Sequence, residues 1–205
     1  MYTLYTLPGS CSTGITVLLE KLGVPFKTVL RGEVPNYQDL VPTNQVPALK
    51  TEAGQIITEG AAIALYLLEK HGQDLLPTEA SAKAEFYQYL MFNYATLHPA
   101  YSKIFAARNV IADATTQKEA MQQLADKASA TWAILDKRLE TRQYVVGNTP
   151  TVIDYLLAIY TGWAQFFPEQ RITYGKNVER LVAEVAKLPE FKAAFVREGA
   201  VFKAA

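Results

Sequence analysis

The chain has 205 residues, half of them apolar, and its twenty Lys and Arg are offset by twenty Asp and Glu. That length suits one large domain or two small ones around a sizeable core, and the charge balance excludes an overall field for holding nucleic acid or an anionic membrane surface. A single cysteine excludes an internal disulfide, and with two histidines a zinc site is short of ligands, so no metal is expected.

The opening residues MYTLYTLPGS show neither a basic n-region nor an apolar h-region, so no secretory leader is expected and the chain reads as cytoplasmic. YTLYTL suits a strand, STGITVLLEKLG a helix that Gly23 ends, and FKTVLR a second strand, a βαβ opening. VPALKTEAGQIIT reads as two short strands about a turn at Glu52, Ala53 and Gly54. In EGAAIALYLLEKHG, Ala62, Ile63, Tyr66 and Leu67 recur at helical spacing, with Gly72 as the stop.

The polar, proline-containing segment QDLLPTEAS marks a boundary near residue 77 between an α/β part and an all-α part. Beyond it, Phe86, Leu90, Tyr94, Leu97, Tyr101, Ile104 and Phe105 repeat every three or four residues, as do Met121, Leu124, Ala128, Trp132, Leu135 and Leu139, which predicts two long amphipathic helices. TPTVIDYLLAIY opens another helix with Thr151 and Asp154 at capping-box spacing. The longest uncharged apolar stretch, from Tyr155 to Phe167, is 13 residues. That falls short of the roughly 20 a membrane span needs, so it reads as a buried helix. Val178, Leu181, Val182, Val185 and Leu188 mark one more helix before Pro189.

Three segments carry possible chemistry. In LPGSCSTG the turn at Pro8 and Gly9 places Ser10, Cys11 and Ser12 where a strand ends and a helix begins. Free N–H groups and partial positive charge at a helix start favour a thiolate; a lone cysteine is otherwise a small buried hydrophobe. In QVPAL, a cis Pro47 turns the Val46 backbone outward as an edge for an extended peptide, whereas the commoner trans form only delays the strand. In TEGAAI, Glu59 and Gly60 begin a helix whose N–H groups suit a carboxylate while the Glu59 side chain suits an ammonium. The plainer reading of Glu59 is a first-turn acid complementing the helix dipole.

PGSCS, VPAL and TEGAAI, in that order, resemble the glutathione S-transferase family and look most like its bacterial beta class. The resemblance implies a thioredoxin-like domain over residues 1–77, a mixed four-stranded sheet with helices, and an all-α domain over residues 78–205 that lines an electrophile pocket. It assigns glutathione as co-substrate, with Val46 pairing its cysteinyl backbone, Pro47 cis, and Glu59 and Gly60 holding its γ-glutamyl end; the usual basic ligand is missing, and Arg31 is the candidate substitute, with a solvated charge as the competing reading. Many classes have Ser where Gly60 stands. Cys11 and Ser10 fall at the sulfur, and LHPAY nominates His98, although Pro99 replaces a usual lysine and is expected to kink the helix. Asn44 replaces a usual glycine and is expected to take its left-handed conformation.

Tyr94, Tyr101, Phe105 and Trp163 are expected to line the electrophile pocket; for Trp163, as for Trp132, the core is the competing placement. The implied activity is conjugation of glutathione sulfur to small apolar electrophiles in detoxification, by a cytoplasmic homodimer without nucleic-acid or membrane partners. The competing readings are a glutathione-dependent thiol-disulfide reductase acting through Cys11 and a non-catalytic binding subunit.

Overall fold

The computed structural model describes residues 1–204. Tyr2–Thr6 form β1, an inner strand of a four-stranded sheet ordered β2-β1-β3-β4. β2 (Phe26–Leu30) runs parallel to β1 with Tyr2 opposite Phe26. β3 (Ala48–Lys50) runs antiparallel to it with Leu4 opposite Leu49, and β4 (Ile56–Ile57) closes the hairpin. Successive residues of a strand face opposite ways. Leu4 and Leu49 therefore join Ile15, Leu18, Leu19, Ile63 and Leu67 in the main apolar cluster, while Tyr5 and Ala48 pack with Tyr37 and Val41 on the other face.

The main face of the sheet carries α1 (Cys11–Leu22) and α3 (Gly60–His71). α1 starts where the Ser10 hydroxyl accepts the Ser12 N–H and stops at Gly23, whose φ of 64° is the left-handed turn a glycine allows at low cost. The other face carries α2 (Tyr37–Leu40) behind a 3-10 turn at Arg31–Glu33. Neither is predicted from sequence, because four residues are too few for a helical period to show.

The helical remainder comprises α4 (Ala80–Phe92), α5 (His98–Val110), α6 (Ala114–Leu139), α7 (Val152–Thr161), α8 (Lys176–Val185) and α9 (Pro189–Arg197). The single helix expected through Phe105 is instead α4 and α5 joined by a π-helical turn at Asn93–Leu97. Pro99 falls in the first turn of α5, where a missing N–H is tolerated, and the irregularity lies before it. α9, with Pro189 in its first turn, was not expected at all. Every residue of α1 from Cys11 to Leu19 is buried, because the helix packs against α3 on one side and α7 and α9 on the other. Residues of the sheet-bearing and helical parts thus share one apolar cluster.

The capping box of α7 forms as the spacing predicts. The buried Asp154 carboxylate accepts the backbone N–H groups of Thr151 (2.8 Å) and Val145 (2.9 Å) and the Thr151 hydroxyl (3.1 Å), and the Thr151 Oγ1 accepts the Ile153 N–H. Burial pushes this carboxyl up to about 6. The three hydrogen bonds oppose that shift.

Candidate functional site

The turn before α1 is fixed from several directions. Ser10 donates its N–H to the Leu7 carbonyl (3.0 Å), and its hydroxyl shares a hydrogen bond with that of Ser12 (2.8 Å). The Gly9 carbonyl accepts the Trp163 indole N–H at 2.8 Å. The Gly9 N–H donates to the Thr13 hydroxyl (2.9 Å), which donates to Glu198 (2.7 Å) at the end of α9. Glu198, whose carboxyl is pushed up by burial, was not expected from sequence; it stands 185 positions from Thr13, so no local pattern could have revealed it.

Beside this turn lies a cleft of about 520 Å³. Ser10, Cys11, Arg31, Val46, Pro47, Glu59 and Gly60, all singled out from sequence, line it from the sheet-bearing part. Tyr94, His98 and Trp163 line it from the helical part. Tyr101 and Phe105 do not, which corrects their expected place in the electrophile pocket. Tyr101 is wholly buried, its hydroxyl accepting the Trp132 indole N–H (3.0 Å) and bonding that of Tyr174 (3.0 Å). Phe105 stacks on Phe166 and Phe167. The face of α5 that meets the cleft is His98, Pro99 and Ser102, positions the aromatic stripe did not single out.

At the strand edge the Val46-Pro47 peptide is cis. The Cys11 thiol donates to the Val46 carbonyl, with 3.6 Å between sulfur and oxygen. Asn44 has a φ of 56°, the left-handed conformation expected of it, and its side-chain oxygen accepts the Arg31 Nε–H at 3.1 Å. Glu59 precedes α3 at a φ of 64° and its side chain does not cap that helix. The start of α3 therefore presents backbone N–H groups to the cleft without a side-chain acceptor from its own cap.

Burial opposes the Cys11 thiolate that the helix start favours, and agrees with the competing placement of a lone cysteine as a small buried hydrophobe. Only 7% of the residue is exposed. Loss of water pushes the thiol up to about 12, although the backbone N–H groups of Cys11 and Ser12 and the Ser10 hydroxyl pull the other way. Alkylation of the free protein by iodoacetamide should therefore be slow at pH 7 and rise about tenfold per pH unit to pH 10; a plateau below pH 8 contradicts this. His98 is held neutral more firmly than a free imidazole, since burial lowers its proton affinity. Its ring meets the edges of Tyr160 and Trp163, with centroids 5.8 and 5.2 Å away.

The arrangement brings two helix starts, an outward-turned strand edge and an uncapped carboxylate to one cleft. Such a cleft suits an extended, zwitterionic peptide that carries a sulfur to the start of α1. A family model described as "Glutathione S-transferase, N-terminal domain" matches residues 9–70. Glutathione S-transferase D7 of Drosophila melanogaster is 27% identical over 195 residues, covering 90% of this chain and 84% of that protein. A sphingomonad glutathione S-transferase solved in complex with glutathione superposes with a TM-score of 0.82 at 26% identity, over 97% of this chain and 100% of the other. A bacterial beta class glutathione S-transferase of Sphingomonas chungbukensis gives a TM-score of 0.81 at 22% identity, over 97% and 100%.

Proposed function

We propose that the chain, whose residues 9–70 match the glutathione S-transferase N-terminal family model and which is similar to such transferases over most of its length, is a beta-class-like enzyme joining glutathione sulfur to small apolar electrophiles. The observation that carries this reading is the convergence of Val46, Glu59, Gly60 and the start of α1 on one cleft. In it, the γ-glutamyl ammonium meets Glu59, the neighbouring carboxylate meets the N–H groups at Gly60, and the cysteinyl backbone pairs with Val46. Arg31, 3.1 Å from Asn44, faces the remaining carboxylate. His98, Pro99, Ser102 and Trp163 wall the side left for the electrophile.

Cys11 acts in this reading as a neutral thiol. A peptide that pairs with Val46 takes over the carbonyl to which the Cys11 S–H now donates. The freed S–H, with the Ser10 hydroxyl and the N–H groups of α1, then donates to the glutathione thiolate. The thiolate lone pair forms the new sulfur–carbon bond, and the electrophile expels its leaving group or takes up a proton. Holding both reactants in register supplies much of the rate.

Replacing Cys11 by alanine should lower kcat/KM with an activated aryl halide about tenfold and move the acid limb of the pH profile upward by about one unit. Unchanged rates remove Cys11 from the mechanism, and no calorimetric binding at millimolar glutathione overturns the whole reading. A thiol-disulfide reductase has less support, since it needs Cys11 as a thiolate and burial opposes that. A binding subunit without activity is distinguished by the same rate assay. The division of labour at residue 77, the homodimer, detoxification and the cytoplasmic setting complete the proposal.

A further inference from the structure

Arg31 and Glu59 follow the two edge strands of the sheet, β2 and β4. β2 runs parallel to β1, and β4, antiparallel to a strand that is itself antiparallel to β1, runs the same way. Both residues therefore stand at the rim where β1 ends and α1 begins, and β3 starts at that rim after Val46 and Pro47. The order along it is Arg31, Cys11, Val46, Glu59: a cation at one end, a carboxylate at the other, and the sulfur position between. Arg31 has no ion pair among the described residues. What holds it is Asn44, 13 positions on, whose Oδ1 accepts the Arg31 Nε–H at 3.1 Å. A guanidinium is a planar fork, so a bond on its Nε edge leaves the two terminal nitrogens as a second edge that matches a carboxylate.

We propose that Asn44 is a positioning residue for the glutathione site: its side chain fixes the Arg31 guanidinium with the terminal nitrogens toward the cleft, where they receive the glycyl carboxylate. This rests on glutathione being the occupant, as proposed above. The loop backbone does not need that side chain. The Asn44 N–H donates to the Val41 carbonyl (2.8 Å), and the carbonyl of the next residue, Gln45, accepts the Tyr37 hydroxyl (2.9 Å). At a φ of 56° a glycine would serve the turn at lower cost, so what asparagine adds is the acceptor. Arg31 and Asn44 also border a second, open groove of about 440 Å³ beside Leu7, Val34 and Tyr37. An arginine held by nothing would spread over both spaces and lose that freedom on binding; the bond to Asn44 commits it to the cleft beforehand.

The test compares glutathione with its C-terminal amide, which lacks only the glycyl charge, by calorimetry on the intact protein, Asn44→Gly, Arg31→Gln and the double variant. The wild type should bind glutathione about tenfold more tightly than the amide, and Arg31→Gln should abolish that preference. Asn44→Gly should cut the preference to about threefold by weakening glutathione and not the amide, with the melting temperature little changed because glycine suits that backbone. On the Arg31→Gln background, Asn44→Gly should change neither affinity, since its effect passes through Arg31. Equal weakening of both ligands by Asn44→Gly, as a loop that merely supports Val46 would give, overturns the proposal. So does an undiminished preference, or an effect of the same size without Arg31. Wild-type binding with no preference for the carboxylate overturns this inference alone. Failure of the wild type to bind either ligand overturns the glutathione reading beneath it as well.

Discussion

Replacing Asp154 by alanine is expected to lower the unfolding free energy by about 3 to 5 kcal/mol. The carboxylate takes up the backbone N–H groups of Val145 and Thr151 in the interior, and each buried donor left without an acceptor costs about 1 to 3 kcal/mol. The first turn of α7 frays as well, since its capping box is lost. α7 packs on α1, so the damage reaches the helix that carries Cys11. Urea unfolding should show a lower midpoint at an unchanged slope. Thr151→Ala removes the hydroxyl that accepts the Ile153 N–H and donates to Asp154, leaves the Asp154 bonds to the backbone in place, and should cost only about 1 kcal/mol. A loss below that figure for Asp154→Ala would show that water replaces the missing acceptor.

Replacing Glu59 by glutamine should weaken glutathione binding about tenfold while leaving the melting temperature unaltered. The variant keeps the shape of the side chain and removes its charge. A hydrogen bond to a charged group is worth about 1.5 to 3 kcal/mol, a factor of roughly 10 to 150. Glu59 is exposed, so solvent screening favours the low end of that range. The deficit should shrink as salt is raised, because wild-type affinity falls while that of the variant holds. Equal affinities at low salt would leave Glu59 as a residue that only shapes the start of α3.

Local chemistry made much of the sheet-bearing part legible. Ser10 and Gly23 bound α1 because a hydroxyl cap and a left-handed stop are decided within a few residues, and Asn44 is readable for the same reason. α9 was hidden by Pro189, which reads as a terminator in sequence yet begins a helix equally well. The aromatic stripe through Tyr101 and Phe105 was correctly apolar but wrongly aimed. A π-helical turn shifts the side chains after it around the axis, so His98 and Ser102 meet the cleft while Tyr101 turns toward Trp132. Periodicity registers that a face is apolar; it does not register what lies opposite. The state of Cys11 was unreadable on similar grounds. Its helix start is a local feature, but the sign of the net effect depends on how completely distant side chains exclude water.

Trp163 is at once a wall of the cleft and the donor to the Gly9 carbonyl. Substrate preference and nucleophile reactivity therefore share a component. A substitution here that admits a bulkier electrophile also releases the loop ahead of Cys11, so broadened scope should come with a weaker nucleophile. Variants that retune selectivity without that penalty are to be sought at Pro99 and Ser102, which border the same space and have no bond to the loop.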